Sequence, residues 1–385
     1  MLYENIISLM FYKIKIRIKK FLASINYFII FKNRYKNLEE RINIIHKNPF
    51  TYKEIERICI FACYEKILSE SVKEYIKFIN SSKYKLIFIN NLEISSSEKI
   101  FLKSHTLISI ERENIGRDIG AYKDGFLYLK KEELLKHIKF LCFANNSVQF
   151  IPGSYANSLK KEIDIFERSK DLGMFTHRSL ERYHHYQSFF YIIKRDVFLN
   201  KKYIKYWENL KLVNDKLYMI EKGEIDLSKK FYNKIKNYRL LYSSNNLLNE
   251  IEKIINEGKK SKFFYYDIRN LLPNFNKFKY QRFKNNSLKK IYKDDFYLSK
   301  KYNYKLKYLK SFIDNSNSTH SAAILYPFFL KCPFFKKDLF RNNFYSISKA
   351  IAFYENCLEV SLKSKEYFLK NLLINEYKIE LKKKR

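Results

Sequence analysis

Acidic residues are the first shortage. Against 75 lysines and arginines, the 385-residue chain carries 40 aspartates and glutamates, a formal charge of +35. A field of that sign attracts polyanions: nucleic acid, an anionic membrane surface or a phosphate-bearing substrate. Glycine, proline and tryptophan are scarce too, at 7, 5 and 1, while Lys, Asn, Ile and Tyr abound. Compositional drift accounts for the lysines but less well for the missing acids, so an anionic partner is expected. Cysteine is sparse. Cys59 and Cys63 lie four apart in one apolar run; on a strand they stand roughly 13 Å apart, beyond disulfide reach. With Cys142, Cys332 and Cys357 they form no CxxC and no Cys/His cluster. Structural zinc is therefore not expected, and a reducing, cytoplasmic compartment fits best. No apolar run reaches the roughly 18–20 residues of a spanning helix, and no cleavage site follows a short apolar core at the N-terminus. The bulk of the chain is expected to stay on the side where it is made.

Apolar and aromatic residues, at 46% and 18%, are ample for a core, which excludes global disorder. In the first 40 residues, Ile7, Met10, Phe11, Ile14, Ile18, Phe21, Leu22, Ile25, Phe28 and Ile29 recur at helical spacing among Lys13, Lys15, Arg17, Lys19 and Lys20. The pattern predicts a basic amphipathic helix over 1–45 that lies in a membrane interface or packs on its own domain. The local alternation from Lys13 to Ile18 suits a strand equally.

An alternating strand–helix pattern follows. Strands are predicted at 57–64, 85–89, 106–110 and 138–144, the first a near-continuous apolar run as expected of a strand buried on both faces. Helices intervene, one opened by the capping-box spacing of Ser71 and Glu74. This order implies an α/β fold with a mostly parallel sheet and right-handed crossovers. Further elements are predicted: a helix at 154–169, strands at 173–177 and 184–193, a helix at 196–210 and a short strand at 239–242. From 258 to 312 the composition shifts to Lys, Tyr and Asn with few regular stripes, and 346–380 reads as helices. The expected divisions are thus 1–45, a catalytic domain at 46–258, and an excursion with a mainly helical C-terminal extension at 259–385. No internal repeat is present.

The chain is organised around residues 113–122, Glu-Asn-Ile-Gly-Arg-Asp-Ile-Gly-Ala-Tyr, between a strand and a helix. A helix N-terminus there suits a phosphate. Gly116 and Gly120 allow close backbone approach or positive φ, and Arg117 offers a donor fork to phosphate or carboxylate. Asp118 accepts from a ribose or base donor, or fixes Arg117; the competing reading is a tight turn closed by that internal pair. Polar groups at Asn145, Asn146 and Ser147 would sit beside this turn if their strands are neighbours.

These motifs, with Phe143-Ala144-Asn145-Asn146-Ser147-Val148, Gln187-Ser188-Phe189-Phe190, Glu224-Ile225-Asp226-Leu227-Ser228 and the closing Asn317-Ser318-Thr319-His320 and Cys332-Pro333-Phe334-Phe335-Lys336, resemble the rhamnan synthesis protein F family of glycosyltransferases, over roughly residues 55–345. The resemblance implies a GT-A-like sheet with helices on both faces. It also implies a nucleotide-sugar donor, dTDP-L-rhamnose, and a polyprenyl-diphosphate-linked glycan acceptor at the inner face of the cell membrane. GT-A enzymes usually place Asp-x-Asp after the fourth strand to hold Mg²⁺ or Mn²⁺, where this chain has Asn145-Asn146-Ser147. Without a carboxylate there, a hard cation loses its strongest ligands. Either the metal is dispensable, an acid elsewhere binds it, or this member is impaired.

Sugar transfer needs a stabilised diphosphate, a deprotonated acceptor and in-line placement. The donor set expected from this reading is Asn114, Gly116, Arg117, Asp118, Gly120, Ala121, Asn145, Asn146 and Ser147. Gln187, Ser188 and His184 position sugar and acceptor. Glu224 is the first candidate base, Asp226 the second and His185 the third. His320 caps the following helix or reaches the site. Competing readings are a non-catalytic transferase partner and a basic nucleic-acid binder using interleaved Lys, Tyr and Phe. No nucleic-acid module is recognisable, so no nucleic-acid partner is expected.

Overall fold

The computed structural model describes residues 14, 17, 18, 21–25, 27, 37–180, 183–274, 282–342 and 344–356. The chain divides into two compact units built from interleaved stretches. The first comprises Met1–Ser69, Ile79–Asn146 and Ser188–Lys236, the second Glu70–Phe78, Ser147–Gln187 and Asn237–Arg385. Eight of the twelve strands among the described residues are, in chain order, β1 Ile42–Lys47, β2 Arg57–Cys63, β3 Lys85–Asn90, β4 Ile108–Arg112, β5 Phe140–Asn145, β6 Gly173–Phe175, β7 Phe190–Lys194 and β8 Tyr238–Leu240.

In the first unit the strands lie in the order β1-β4-β3-β2-β5-β7. The central pairs β2/β3, β3/β4 and β2/β5 are parallel, and the outer pairs β1/β4 and β5/β7 are antiparallel. From Ile58 on, β2 is buried throughout, as its unbroken apolar run requires. Along the chain between them come α1 Glu70–Ser81, of which Glu70–Phe78 belongs to the second unit, α2 Ser96–His105 and α3 Arg117–Lys131. Helix α3 packs on β2 and β3 so closely that a Cβ on Gly125 would stand 2.7 Å from both Ile60 Cγ2 and Ile89 Cδ1.

Two features of this sheet differ from expectation. The strand β1 begins at Ile42, inside the span expected to be helical; its alternation serves an edge strand with a register shift between Ile44 and His46. The helical part of the N-terminal prediction holds at Ile14, Arg17, Ile18 and 21–25. Second, β4 and β5 are not neighbours, because β3 and β2 lie between them.

In the second unit, β6 and β8 pair in parallel. Val148–Phe150 pairs antiparallel with Phe334–Lys336, and Arg178–Ser179 with His185–Tyr186. The Lys/Tyr/Asn-rich stretch holds the helices Arg282–Tyr292 and Asn303–Asp314. Lys305 is buried there, its ammonium donating to the carbonyls of Ile291, Asp294 and Asp295 at 3.1, 2.6 and 2.8 Å. A lysine spent on carbonyls past a helix end breaks the apolar stripe that sequence periodicity detects. Of the predicted C-terminal helices, Ile347–Asn356 is present, and the remainder lies outside the described residues.

Candidate active site

The strand order reverses direction at β2: β3 and β4 are added on one side, β5 on the other. Open α/β sheets bind ligands at the carboxyl ends of strands at such a switch point. Here those ends are Cys63-Tyr64-Glu65 and Asn145-Asn146. The Asn146 amide nitrogen donates to Glu65 Oε1 at 3.0 Å, and its backbone N–H to the Ala62 carbonyl at 3.1 Å. Glu65 Oε2 accepts from the backbone N–H of Ser69 at 2.8 Å. Glu65 thus supplies a carboxylate where the Asn-Asn-Ser stretch has none. Sequence reasoning missed it; the available signal was its position two residues beyond the first long buried strand.

A chain of hydrogen bonds leads away from this point. Asn145 Nδ2 donates to Tyr122 OH at 3.1 Å, Tyr122 OH donates to the Ser188 carbonyl at 2.7 Å, and Ser188 Oγ donates to Glu224 Oε1 at 2.6 Å. Although β4 and β5 are two strands apart, α3 crosses β3 and β2 and carries Tyr122 to Asn145. Asn145, Ser188 and Glu224, picked from separate motifs, are therefore joined. Glu224 lies on a π-helical turn, Ile220–Ile225, seated against the start of α3: a Cβ on Gly223 would stand 2.6 Å from Ile119.

The central turn has a buried base and an exposed rim. Beneath it, Asp124 is fully buried and held by two arginines, Arg112 Nε at 2.8 Å and Arg41 Nη2 at 2.7 Å. Arg112 also donates to the carbonyl of Ile115 at 2.8 Å and to Asn91. Beside them Lys123 is buried, donating to the carbonyls of Leu210 at 2.6 Å and Glu208 at 3.1 Å. Burial, then the neighbouring Arg41, depresses its ammonium to a pKa of about 8.

The rim is different. Gly116 (φ 74°) and Arg117 (φ 56°) are both left-handed, a conformation costing a non-glycine residue about 1 kcal/mol or more. The Arg117 side chain is exposed and makes no hydrogen bond or ion pair among the described residues. The competing reading, a turn closed by an Arg117–Asp118 pair, does not hold; the turn rests instead on the deeper Arg–Asp–Arg cluster. A Cβ on Gly116 would stand 2.8 Å from Leu212 Cδ2, and one on Gly120 would overlap the Ile115 carbonyl oxygen. Internal packing therefore explains both glycines. Ala121 is also buried; Asn114 and Asp118 are half-buried at the turn.

The remaining expected residues have their own local partners. Asp226 does not join Ser188: its carboxylate takes Lys222 at 3.0 Å and lines a separate cavity. In the second unit, Ser147 Oγ accepts from Lys336 at 3.1 Å. His185 is buried, with Nδ1 2.8 Å from the Tyr183 carbonyl. His184 is half-buried and its pKa is lowered by burial, then by Arg178 and His185. Buried Gln187 donates its backbone N–H to the His177 carbonyl at 3.0 Å. His320 does not cap the following helix, Leu325–Leu330, whose N-cap is Ile324; it lies within the short helix Ser318–Ser321, capped by Asn317. Its ring lies 3.4 Å from Asp338 and stacks on Phe344 at 4.4 Å.

The strand end at Asn145-Asn146 carries no Asp-x-Asp pair for a divalent cation. The side-chain nitrogens of Asn145 and Asn146 donate to Tyr122 and Glu65, and Glu65 is the carboxylate they meet there. No group of three His, Cys, Asp or Glu among the described residues could hold a metal.

The chain belongs to the rhamnan synthesis protein F family, whose model matches residues 86–313. An uncharacterized protein of Sinorhizobium fredii, y4gN, is 29% identical over 171 residues, 43% of this chain. The match spans 42% of that relative's length. Among solved structures, a glycosyltransferase involved in the glycosylation of the major capsid of PBCV-1 aligns with a TM-score of 0.28 and 9% identity, over 48% of this chain and 80% of that one.

Proposed function

We propose that the chain is a GT-A-like glycosyltransferase that moves L-rhamnose from dTDP-L-rhamnose to a polyprenyl-diphosphate-linked glycan in capsule, O-antigen or wall rhamnan synthesis. It works peripherally at the inner face of the cell membrane. The observation carrying this reading is the hydrogen-bonded run from Asn145 through Tyr122 and Ser188 to Glu224, beside an exposed arginine on a strained helix start. Family membership supports it.

In this reading Glu224 is the general base. Its carboxylate, oriented by the Ser188 hydroxyl, takes the proton of the acceptor hydroxyl. That oxygen forms the new bond to the anomeric carbon, and the old bond breaks with its electron pair leaving on the nucleoside diphosphate. Arg117 and the backbone N–H groups at the start of α3 receive the growing negative charge. No step requires a metal ion.

Transfer of labelled rhamnose from dTDP-rhamnose to a lipid-linked acceptor in native membranes tests the proposal. Glu224→Gln is expected to lower transfer by about 10²–10⁴-fold while dTDP still binds. Absence of transfer by the wild-type chain from any nucleotide sugar overturns it. The missing acid pair at Asn145 and Asn146 favours one second reading, a non-catalytic partner, marked by nucleotide binding without turnover.

A further inference from the structure

The turn that carries Glu224 also borders a cavity that the mechanism does not use. Its volume is about 520 Å³, and Lys202, Lys205, Lys211, Lys222, Lys230 and Lys234 line it. The one acid in its wall, Asp226, is paired with Lys222. Six ammonium groups against one carboxylate leave a formal +5. Holding so many like charges around one hollow costs self-repulsion that an anionic occupant relieves. The remaining wall includes Tyr206, Tyr218 and Phe231, which suits an anion joined to an apolar body.

A second observation adjoins the first. Ile14, Ile18, Phe21 and Leu22 are helical and exposed, Phe21 by 66%. At 100° per residue they fall within about a 100° arc, and Ala23, on the opposite side, is buried. Tyr27, just beyond, lies under the Lys211 ammonium at 5.5 Å, and Ser24 hydrogen-bonds Tyr218. Two residues of the cavity wall thus touch the end of the helix whose apolar stripe faces solvent. Apolar side chains beside clustered lysines match the two layers of an anionic bilayer surface, acyl boundary and phosphate.

Resting on the membrane-peripheral reading above, we infer that this cavity is a binding site for the phosphate headgroups of anionic phospholipids, and that the stripe of Ile14, Ile18, Phe21 and Leu22 enters the same leaflet. Lys222 flanks Glu224 on the same turn, so lipid bound there holds the catalytic turn at the membrane surface.

Flotation of the full chain with phosphatidylcholine vesicles, with and without phosphatidylglycerol at about one part in three, tests this. The wild type is expected to float only with phosphatidylglycerol and to be released as salt rises. Lys205→Glu/Lys230→Glu/Lys234→Glu is expected to weaken that binding about tenfold or more and to bind dTDP as the wild type does. Phe21→Asp/Leu22→Asp is expected to weaken it as well. Inorganic diphosphate is expected to compete better than chloride at matched ionic strength. Equal flotation with both vesicles, or an unaffected triple lysine variant, overturns the site. Recruitment by traces of polyprenyl diphosphate in phosphatidylcholine, without phosphatidylglycerol, overturns the phospholipid assignment in favour of the acceptor lipid. Failure of the transferase reading alone would instead appear as lost dTDP binding with flotation intact.

Discussion

The base and the rim of the central turn use the same side chain in opposite ways. At the base, Arg41 and Arg112 are buried on Asp124, and Arg112 also ties down Asn91 and the Ile115 carbonyl. At the rim, Arg117 is exposed and holds a left-handed φ. A guanidinium out of water is tolerable only when its charge and donors are met. One left in water, on a backbone strained to place it, is free to meet something else. The contrast separates the arginines that make the turn from the arginine that the turn presents.

Removing Asp124 breaks the base most severely. Asp124→Ala leaves two buried guanidinium groups without their counter-charge and is expected to cost about 3–5 kcal/mol in urea unfolding. Arg117→Ala acts on the rim alone. It should leave the unfolding midpoint within error and weaken dTDP binding by about 1.5–3 kcal/mol, the worth of hydrogen bonds to a charged group. Equal losses of stability in the two variants would erase the distinction.

Lys123 gives the base a pH signature. Its folded-state pKa, about 8, lies below the unfolded value. Between roughly pH 8 and 10.5 the unfolded chain holds a proton that the native chain has released, so stability from this group rises with pH. The difference between wild type and Lys123→Met isolates it from the buried tyrosines, whose raised pKa values act oppositely. That difference should grow by no more than about 1.4 kcal/mol per pH unit in this window. Smallest is Arg117→Gly, expected to keep or gain stability by up to about 1 kcal/mol as strain is relieved, while losing donor affinity as the alanine variant does.

The rim was legible in the sequence and the base was not. Gly-Arg-Asp-Ile-Gly is a contiguous signal at a strand–helix junction, and the buried runs of β2, β3 and β5 are local patterns that burial on both faces imposes. The base is assembled from residues 41, 91, 112 and 124, whose meeting depends on strand order. Strand order also hid the true neighbours of Asn145, since periodicity shows that strands exist and not which side of the sheet each joins. Glu65 escaped for a related reason: its place two residues past β2 gains meaning only once β5 is laid beside β2. Ser188 and Glu224 were legible individually through their motifs; their 2.6 Å bond was not.

The π-helical turn at Ile220–Ile225, closed by the Asp226 N–H on the Glu221 carbonyl, has a consequence for how this stretch tolerates change. It holds one residue more per turn than the helices flanking it, so it works as a phase shift in the chain. Deleting a residue ahead of Glu224 would let ordinary helix run through and swing the acid by about 100°, away from Ser188. The amino-acid composition would scarcely alter. In this segment the length of the chain, as much as the identity of its acids, decides which carboxylate meets the serine.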